Sequence, residues 1–312
     1  MERRKPRALR PGDRIGLLAP SGSATSPGHV DTALAAVREL GFEVVEGRSC
    51  RAVHGYLAGD DALRAAELEA FFADPSIDGI FCLKGGYGTP RILDRLDYAA
   101  IARNPKVFLG YSDITGAHLA LGRDCGLVTF HGPMPHSKDL PAWDGPSRAR
   151  LLSCLGPEGG KGVLANPSGR ALSCLAPGRA RGRLTGGNLS LLAATIGTPW
   201  ELDARGKILF IEDIGERPYR IDRMLTQLRL AGKLDEAVGF LIGDWTDCEP
   251  EAGKKSLSVE DVIEELLVAT GKPVLAGLAA GHGKPNLTLP LEIEVELDAA
   301  ALSLEFLEAA TC

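Results

Sequence analysis

Between Ile15 and Leu109, short apolar runs alternate with stretches of helical period, and this order constrains the fold more than any other feature of the chain. Strands that recur with a helix between them pair in parallel, because a crossover is needed to return the chain to the same end of the sheet. Ile15-Gly16-Leu17-Leu18-Ala19 reads as a buried strand ending in a Pro20-Ser21-Gly22-Ser23 loop. A helix is predicted from Pro27 to Leu40, stopped by Gly41, and Phe42-Glu43-Val44-Val45 forms the next strand. Asp60 to Phe72 repeats the helix, with Leu63, Ala66, Leu68, Phe71 and Phe72 near helical spacing, and Gly79-Ile80-Phe81-Cys82-Leu83 repeats the strand. A helix from Pro90 to Leu96 and a strand at Val107-Phe108-Leu109 complete the pattern, which implies an α/β, doubly wound parallel sheet. Ligands on such sheets sit at the carboxyl ends of the strands. Two polar segments fall there: Lys84-Gly85-Gly86-Tyr87-Gly88-Thr89-Pro90, and Gly110-Tyr111-Ser112-Asp113-Ile114-Thr115.

The text changes from Gly132 to Gly182, where Pro and Gly punctuate it; we read a linker with one short helix near Ser147 to Cys154. Beyond it, Gly186-Gly187-Asn188 precedes a helix of Leu189, Leu191, Leu192 and Ile196. Lys207-Ile208-Leu209-Phe210-Ile211 is a strand with Glu212-Asp213 at its end. Pro218 opens a helix whose Ile221, Met224, Leu225 and Leu228 share a face. Val238 to Ile242 is a further strand, and Ser258-x-x-Asp261 resembles a capping box for a helix reaching Thr270. Strict alternation in Glu292-Ile293-Glu294-Val295-Glu296-Leu297, then Leu302, Leu304 and Phe306, predicts a half-exposed hairpin. The expected organisation is an N-terminal α/β domain over 1–135, a linker over 136–182, and a β-rich mixed domain over 183–312.

Composition narrows the class of partner. The 312 residues are 45% hydrophobic, enough to fill real cores. Net charge is −6, from 35 basic and 41 acidic residues without a basic block, which excludes nucleic acid and an acidic membrane surface as partners. The basic start, Met1 to Arg7, is followed by an apolar stretch that breaks at Pro20, too short for a signal peptide or a membrane span. Seven widely spaced Cys without a Cys-x-x-Cys pair indicate neither a disulfide framework nor a zinc site, and point to a reduced cytoplasm. The glycine loop at Gly85 fits neither the Walker nor the dinucleotide pattern, so no cofactor and no metal are called for.

A Ser between a buried strand and a helix is held on a sharp turn, and the helix start lends its hydroxyl positive partial charge. Ser112 sits so, although Asp113-Ile114 follow it where the hydrolase elbow has a Gly two residues on. The ordinary alternative is a helix N-cap. A hydroxyl nucleophile needs a base. His29, His54 and His118 lie at loop, helix-start or mid-helix positions suited to surface or packing roles, which leaves His131, at a strand end, and His282, in Gly281-His282-Gly283. A carboxylate should orient the imidazole; Glu212 and Asp213 are placed for it, with Asp113 as a competitor. The backbone N–H of Asp113 suits an oxyanion hole better, with Gly86 as the other donor.

Together these motifs resemble the LD-carboxypeptidase family of serine peptidases. The resemblance rests on Lys84-Gly85-Gly86-Tyr87-Gly88, Asn104-Pro105-Lys106 through Thr115, Gly186-Gly187-Asn188-Leu189-Ser190, Glu212-Asp213-Ile214-Gly215-Glu216 with Pro218 through Leu225, and Gly281-His282-Gly283 with Asn286-Leu287-Thr288-Leu289-Pro290. That family includes muramoyltetrapeptide carboxypeptidases and microcin C self-immunity peptidases. The resemblance implies a triad of Ser112, Glu212 and His282, and oxyanion donors at the backbone of Gly86 and Asp113. It also implies a flavodoxin-like N-terminal domain, a β-rich C-terminal domain, a site in the cleft between them, and a homodimer. Two positions depart from its pattern: Lys84, where Arg is common, and Glu292, where Gly is common.

The expected reaction is hydrolysis, through an acyl-enzyme, of the amide between an L-centre diamino acid and terminal D-Ala in a murein tetrapeptide, as in peptidoglycan recycling. Lys84, Arg217 and Arg220 are the cations near the motifs that a substrate carboxylate could use. One alternative is an immunity peptidase cleaving an aminoacyl-nucleotide amide, for which Trp143 and Trp200 are candidate stacking platforms. Another is a muropeptide-binding module without catalysis.

Overall fold

The computed structural model describes residues 3–135 and 143–312, and the chain divides into two compact units. The first comprises Met1–Gly160, Leu287–Leu291 and Ala309–Cys312; the second comprises Lys161–Asn286 and Glu292–Glu308. Residues 143–160 thus belong to the first unit and 161–182 to the second, so the described part of the segment expected to be a linker is apportioned between the two. Positions 136–142 of that segment lie outside the described residues.

In the first unit the elements run β1 (Arg14–Leu18), α1 (Pro27–Glu39), β2 (Glu43–Glu46), α2 (Asp61–Ala73), β3 (Gly79–Cys82), α3 (Tyr98–Arg103), β4 (Val107–Gly110), α4 (Thr115–Ala120), β5 (Thr129–His131) and α5 (Gly145–Leu155). β1 to β5 are parallel, in the order β5-β4-β3-β1-β2. This is the flavodoxin-like order, whose switch point lies between β1 and β3. β3 and β4 are buried along their whole length, which is why they read as unbroken apolar runs. Phe72 of α2 stacks on Phe108 of β4 at 6.1 Å within the core; a buried phenylalanine of this kind contributes about 1.5–3 kcal/mol.

Two features differ from the sequence expectation. The helix predicted from Pro90 to Leu96 is two 3₁₀ turns, Thr89–Arg91 and Leu93–Arg95. Leu96 is extended, and the Asp97 carboxylate accepts from Ala100 N at 2.9 Å to start α3 afresh. The sheet is also not wholly parallel, because β12 (Leu289–Leu291) joins it antiparallel beside β5.

The second unit runs β6 (Gly162–Val163), β7 (Ser173–Ala176), β8 (Arg179–Asn188), α6 (Leu189–Ala194), β9 (Ile208–Ile214), α7 (Pro218–Leu230), α8 (Lys233–Glu236), β10 (Gly239–Thr246), α9 (Val259–Leu266), β11 (Val274–Ala276), β13 (Glu294–Asp298) and β14 (Ser303–Phe306). Its eight strands form one mixed sheet, ordered β6-β14-β13-β8-β9-β10-β11-β7. β8 to β11 are parallel, and the strands outside them are antiparallel. The C-terminal hairpin predicted from alternation is β13 and β14. The ten-residue β8 alternates exposed Arg179 and Arg181 with buried Ala180 and Gly182, a period-2 signal lying inside text otherwise punctuated by Pro and Gly. β9 continues through Ile214, so Glu212 and Asp213 lie within the strand and point to opposite faces.

Candidate active site

β4 ends at Gly110, and the chain turns over Ser112–Ile114 into α4. Ser112 has φ +64°, a left-handed conformation uncommon for a residue with a side chain. Such strain persists only where the surroundings over-determine it, and it clusters at functional sites. The surroundings here are glycines: a Cβ at Gly85 would lie 2.9 Å from Ser112 Cβ and 3.1 Å from its Oγ. Gly85 therefore has no side chain because Ser112 occupies that space. Gly86 beside it adopts φ +111°. The loop that sequence reasoning nominated for oxyanion donation is packed directly on the nominated nucleophile.

Asp113, fully buried, gives this region its framework. Its Oδ2 accepts from Ser21 Oγ at 2.6 Å and from the Thr89 N–H at 2.8 Å, joining the loops after β1 and β3 to the turn after β4. Its side chain thus holds loops, a role that its backbone position alone does not signal.

In the second unit, His282 donates Nδ1–H to Glu212 Oε2 at 2.7 Å. Glu212 is fully buried and His282 largely so. Burial opposes the charged imidazole, but the hydrogen bond and charge of Glu212, with Asp213 and Asp244 behind it, outweigh that cost and raise the His282 pKa above its ordinary value. Burial likewise pushes the Glu212 carboxyl up, with His282 acting against it. Both glycines flanking His282 are set by carboxylates. A Cβ at Gly281, which has φ +123°, would lie 2.6 Å from Glu212 Oε2, and one at Gly283 would lie 2.4 Å from Asp244 Oδ2. Asp244 accepts from Gly283 N at 3.1 Å and from Arg170, whose other arm donates to Lys284 O at 3.2 Å. This clamp on the histidine loop, Arg170 with Asp244, has no signature in the sequence.

The remaining candidates have other occupations. Asp213 accepts from Asn188 Nδ2 at 2.8 Å and from Ser190 N and Oγ at 2.9 and 2.8 Å, tying α6 to β9. His131 is buried on β5 with its ring against Tyr111, and His118 donates Nε2–H to Gly110 O at 2.9 Å as a neutral ring, since burial pushes its pKa down to about 4. His54 is exposed and bridges to Leu57, and His29 is exposed in the first turn of α1 beside Thr25. Lys84 Nζ donates to Ser23 O at 3.1 Å, Arg217 to Glu249 O at 3.2 Å, and Arg220 pairs with Glu216 at 3.4 Å. Trp143 is buried with Nε1–H on Ala36 O at 3.1 Å, which removes it as a stacking platform; Trp200 is half-buried. Glu292 has φ +65°, a backbone conformation that favours glycine, and is held by an ion pair to Lys207 at 2.8 Å. Among the described residues, no group of His, Cys, Asp and Glu could hold a metal ion, and no helix is long and apolar enough to cross a membrane.

A family model for the LD-carboxypeptidase N-terminal domain matches residues 15–132, and one for the LD-carboxypeptidase C-terminal domain matches residues 181–297. The chain is 44% identical over 297 residues to a probable murein peptide carboxypeptidase of Bacillus subtilis, across 95% of this chain and 92% of that one. Among solved structures, MccF in complex with glutamyl sulfamoyl guanosine superimposes with a TM-score of 0.90 at 26% identity, covering 99% of both chains. A muramoyltetrapeptide carboxypeptidase from Oxalobacter formigenes superimposes with a TM-score of 0.79 at 30% identity, covering 93% of this chain and 97% of that one.

Proposed function

The chain belongs to the LD-carboxypeptidase family and is a serine-type carboxypeptidase, and from that premise we propose that Ser112, His282 and Glu212 are its triad and a murein tetrapeptide its substrate. The observation that carries the triad is the 2.7 Å bond from His282 Nδ1 to a carboxylate with no exposed surface. It fixes the tautomer that leaves Nε2 as the base.

In this reading His282 Nε2 takes the proton of Ser112 Oγ as the oxygen attacks the carbonyl before terminal D-Ala. The N–H groups of Gly86 and Asp113 stabilise the oxyanion. The imidazolium, balanced by Glu212, then protonates the leaving D-Ala amine. Water, activated by the same histidine, releases the shortened peptide and restores Ser112. Neither a cofactor nor a metal enters any step. The reading requires Nε2 to come within hydrogen-bond reach of Ser112 Oγ in the reacting complex.

We assign the enzyme to peptidoglycan recycling in the cytoplasm, where its seven free thiols suit a reducing compartment. The homodimer rests on family resemblance. A second reading, cleavage of an aminoacyl-nucleotide amide, is supported by the similarity to MccF, solved with glutamyl sulfamoyl guanosine. Comparing kcat/KM for D-Ala release from a murein tetrapeptide with that for an aminoacyl-nucleotide amide separates the two. We expect the tetrapeptide to be preferred; turnover of the nucleotide amide alone would transfer the assignment to the second reading.

A further inference from the structure

Arg64, in the first turn of α2, is 1% exposed. A guanidinium so buried needs partners for its donors. Nη1 donates to Pro20 O at 2.6 Å and to Gly88 O at 2.8 Å, while Nη2 donates to Asp61. Asp61 in turn receives both arms of Arg91, the shorter bonds at 2.9 Å. Asp113 approaches the same two loops with the opposite charge, taking Ser21 Oγ at 2.6 Å and Thr89 N at 2.8 Å. Gly88 O and Thr89 N belong to one peptide unit. That peptide is gripped by a cation at its oxygen and an anion at its N–H, along its own dipole, and the neighbouring Pro20-Ser21 segment is held by the same two side chains.

This grip lies at the end of a segment that has little stiffness of its own. Gly86 at φ +111° and Gly88 at φ +147° are free of side-chain restraint. Gly85 meets Ser112 at the other end of the segment, where a Cβ would lie 3.3 Å from Asp113 N. We propose that Arg64 and the Asp113 carboxylate are positioning residues that fix the Gly88–Thr89 peptide, and through it keep the Gly86 N–H aimed at the developing oxyanion. The proposal rests on the reading of Gly86 as an oxyanion donor.

The test compares Arg64→Lys, Arg64→Met and Ser21→Ala with wild type, measuring kcat, KM and melting temperature, with kcat normalised to the fraction of sites titrated by a fluorophosphonate. An ammonium keeps the charge but lacks the planar fork that spans two carbonyls. We expect Arg64→Lys to lower kcat per titrated site about 10- to 100-fold, the scale of a misplacement near 1 Å, while KM changes little. Ser21→Ala, which removes one bond from Asp113, should lower kcat by a smaller factor in the same direction. Affinity for a peptidyl boronate should fall in step with kcat, because the loss is of transition-state binding. Unchanged kcat per titrated site in Arg64→Lys and Ser21→Ala, even with a lower melting temperature, would make the clamp purely structural and overturn the proposal. Ser112→Ala, run alongside, tells the two readings apart: a mutant with wild-type rate sinks the serine mechanism and the clamp with it, whereas an inactive Ser112→Ala beside an undiminished Arg64→Lys sinks the clamp alone.

Discussion

The protonation of His282 is governed by one buried contact. Burial favours the neutral ring, yet the Glu212 hydrogen bond and charge hold the proton more strongly, so the pKa lies above the ordinary histidine value. A raised pKa means that the neutral base is depleted as pH falls, and the rising limb of kcat/KM should sit above about 6.5. Glu212→Gln removes the charge and turns the held tautomer. The expected result is a limb displaced toward lower pH and a kcat reduced about 10⁴-fold. A pH–rate profile of both proteins checks this, and a coincident limb would mean that Glu212 does not act on the base. The neighbouring acid is legible only in part. Adjacent residues of a strand face opposite ways, so at most one of Glu212 and Asp213 can meet His282; which one depends on packing, and Asp213 is taken by Asn188 and Ser190.

Elements position these residues, and glycine is how the chain makes room for them. The segment around Gly85 is visible in the sequence as a glycine cluster at a strand end, because rising apolar character and then Gly at the sheet edge are local signals. What each glycine does is not local. Gly85 is pressed on Ser112 by the pairing of β3 with β4, and Gly281 on Glu212 by the packing of the histidine loop. Gly85 carries no positive φ, so Gly85→Ala should fold, with its Cβ 2.9 Å from Ser112 Cβ. The displaced Ser112 should lower kcat about 10²-fold, and because its Cβ is fixed by the backbone the melting temperature should fall as well; wild-type turnover would show that Ser112 needs no such fit. β8 is the converse case, a long strand whose alternation is masked by surrounding turn residues. The Arg170–Asp244 ion pair, and the bonds of Arg64 and Asp113 to the Gly88–Thr89 peptide, join residues far apart in sequence, which no periodicity encodes.

At the scale of the whole molecule, the parallel strand order follows from the βαβ alternation, but the first unit is not a continuous stretch of chain. β12 covers the β5 edge, and the C-terminal residues are sewn in by Ala8 N to Cys312 O and Cys312 N to Pro6 O, both 3.0 Å, and by Thr311 Oγ1 to Gly156 O at 2.7 Å. A fragment of residues 1–160 loses all of these and bares a sheet edge. It should self-associate or melt without cooperativity by size exclusion and circular dichroism; a monomer with a sharp transition would show that the later segments are dispensable. The residues of the proposed triad are divided between the units, Ser112 in the first and the His282–Glu212 pair in the second. The most direct measurement is D-Ala release from a murein tetrapeptide by wild type and by Ser112→Ala. The proposed triad requires kcat to fall about 10⁶-fold in the mutant; release at a rate near wild type would contradict it.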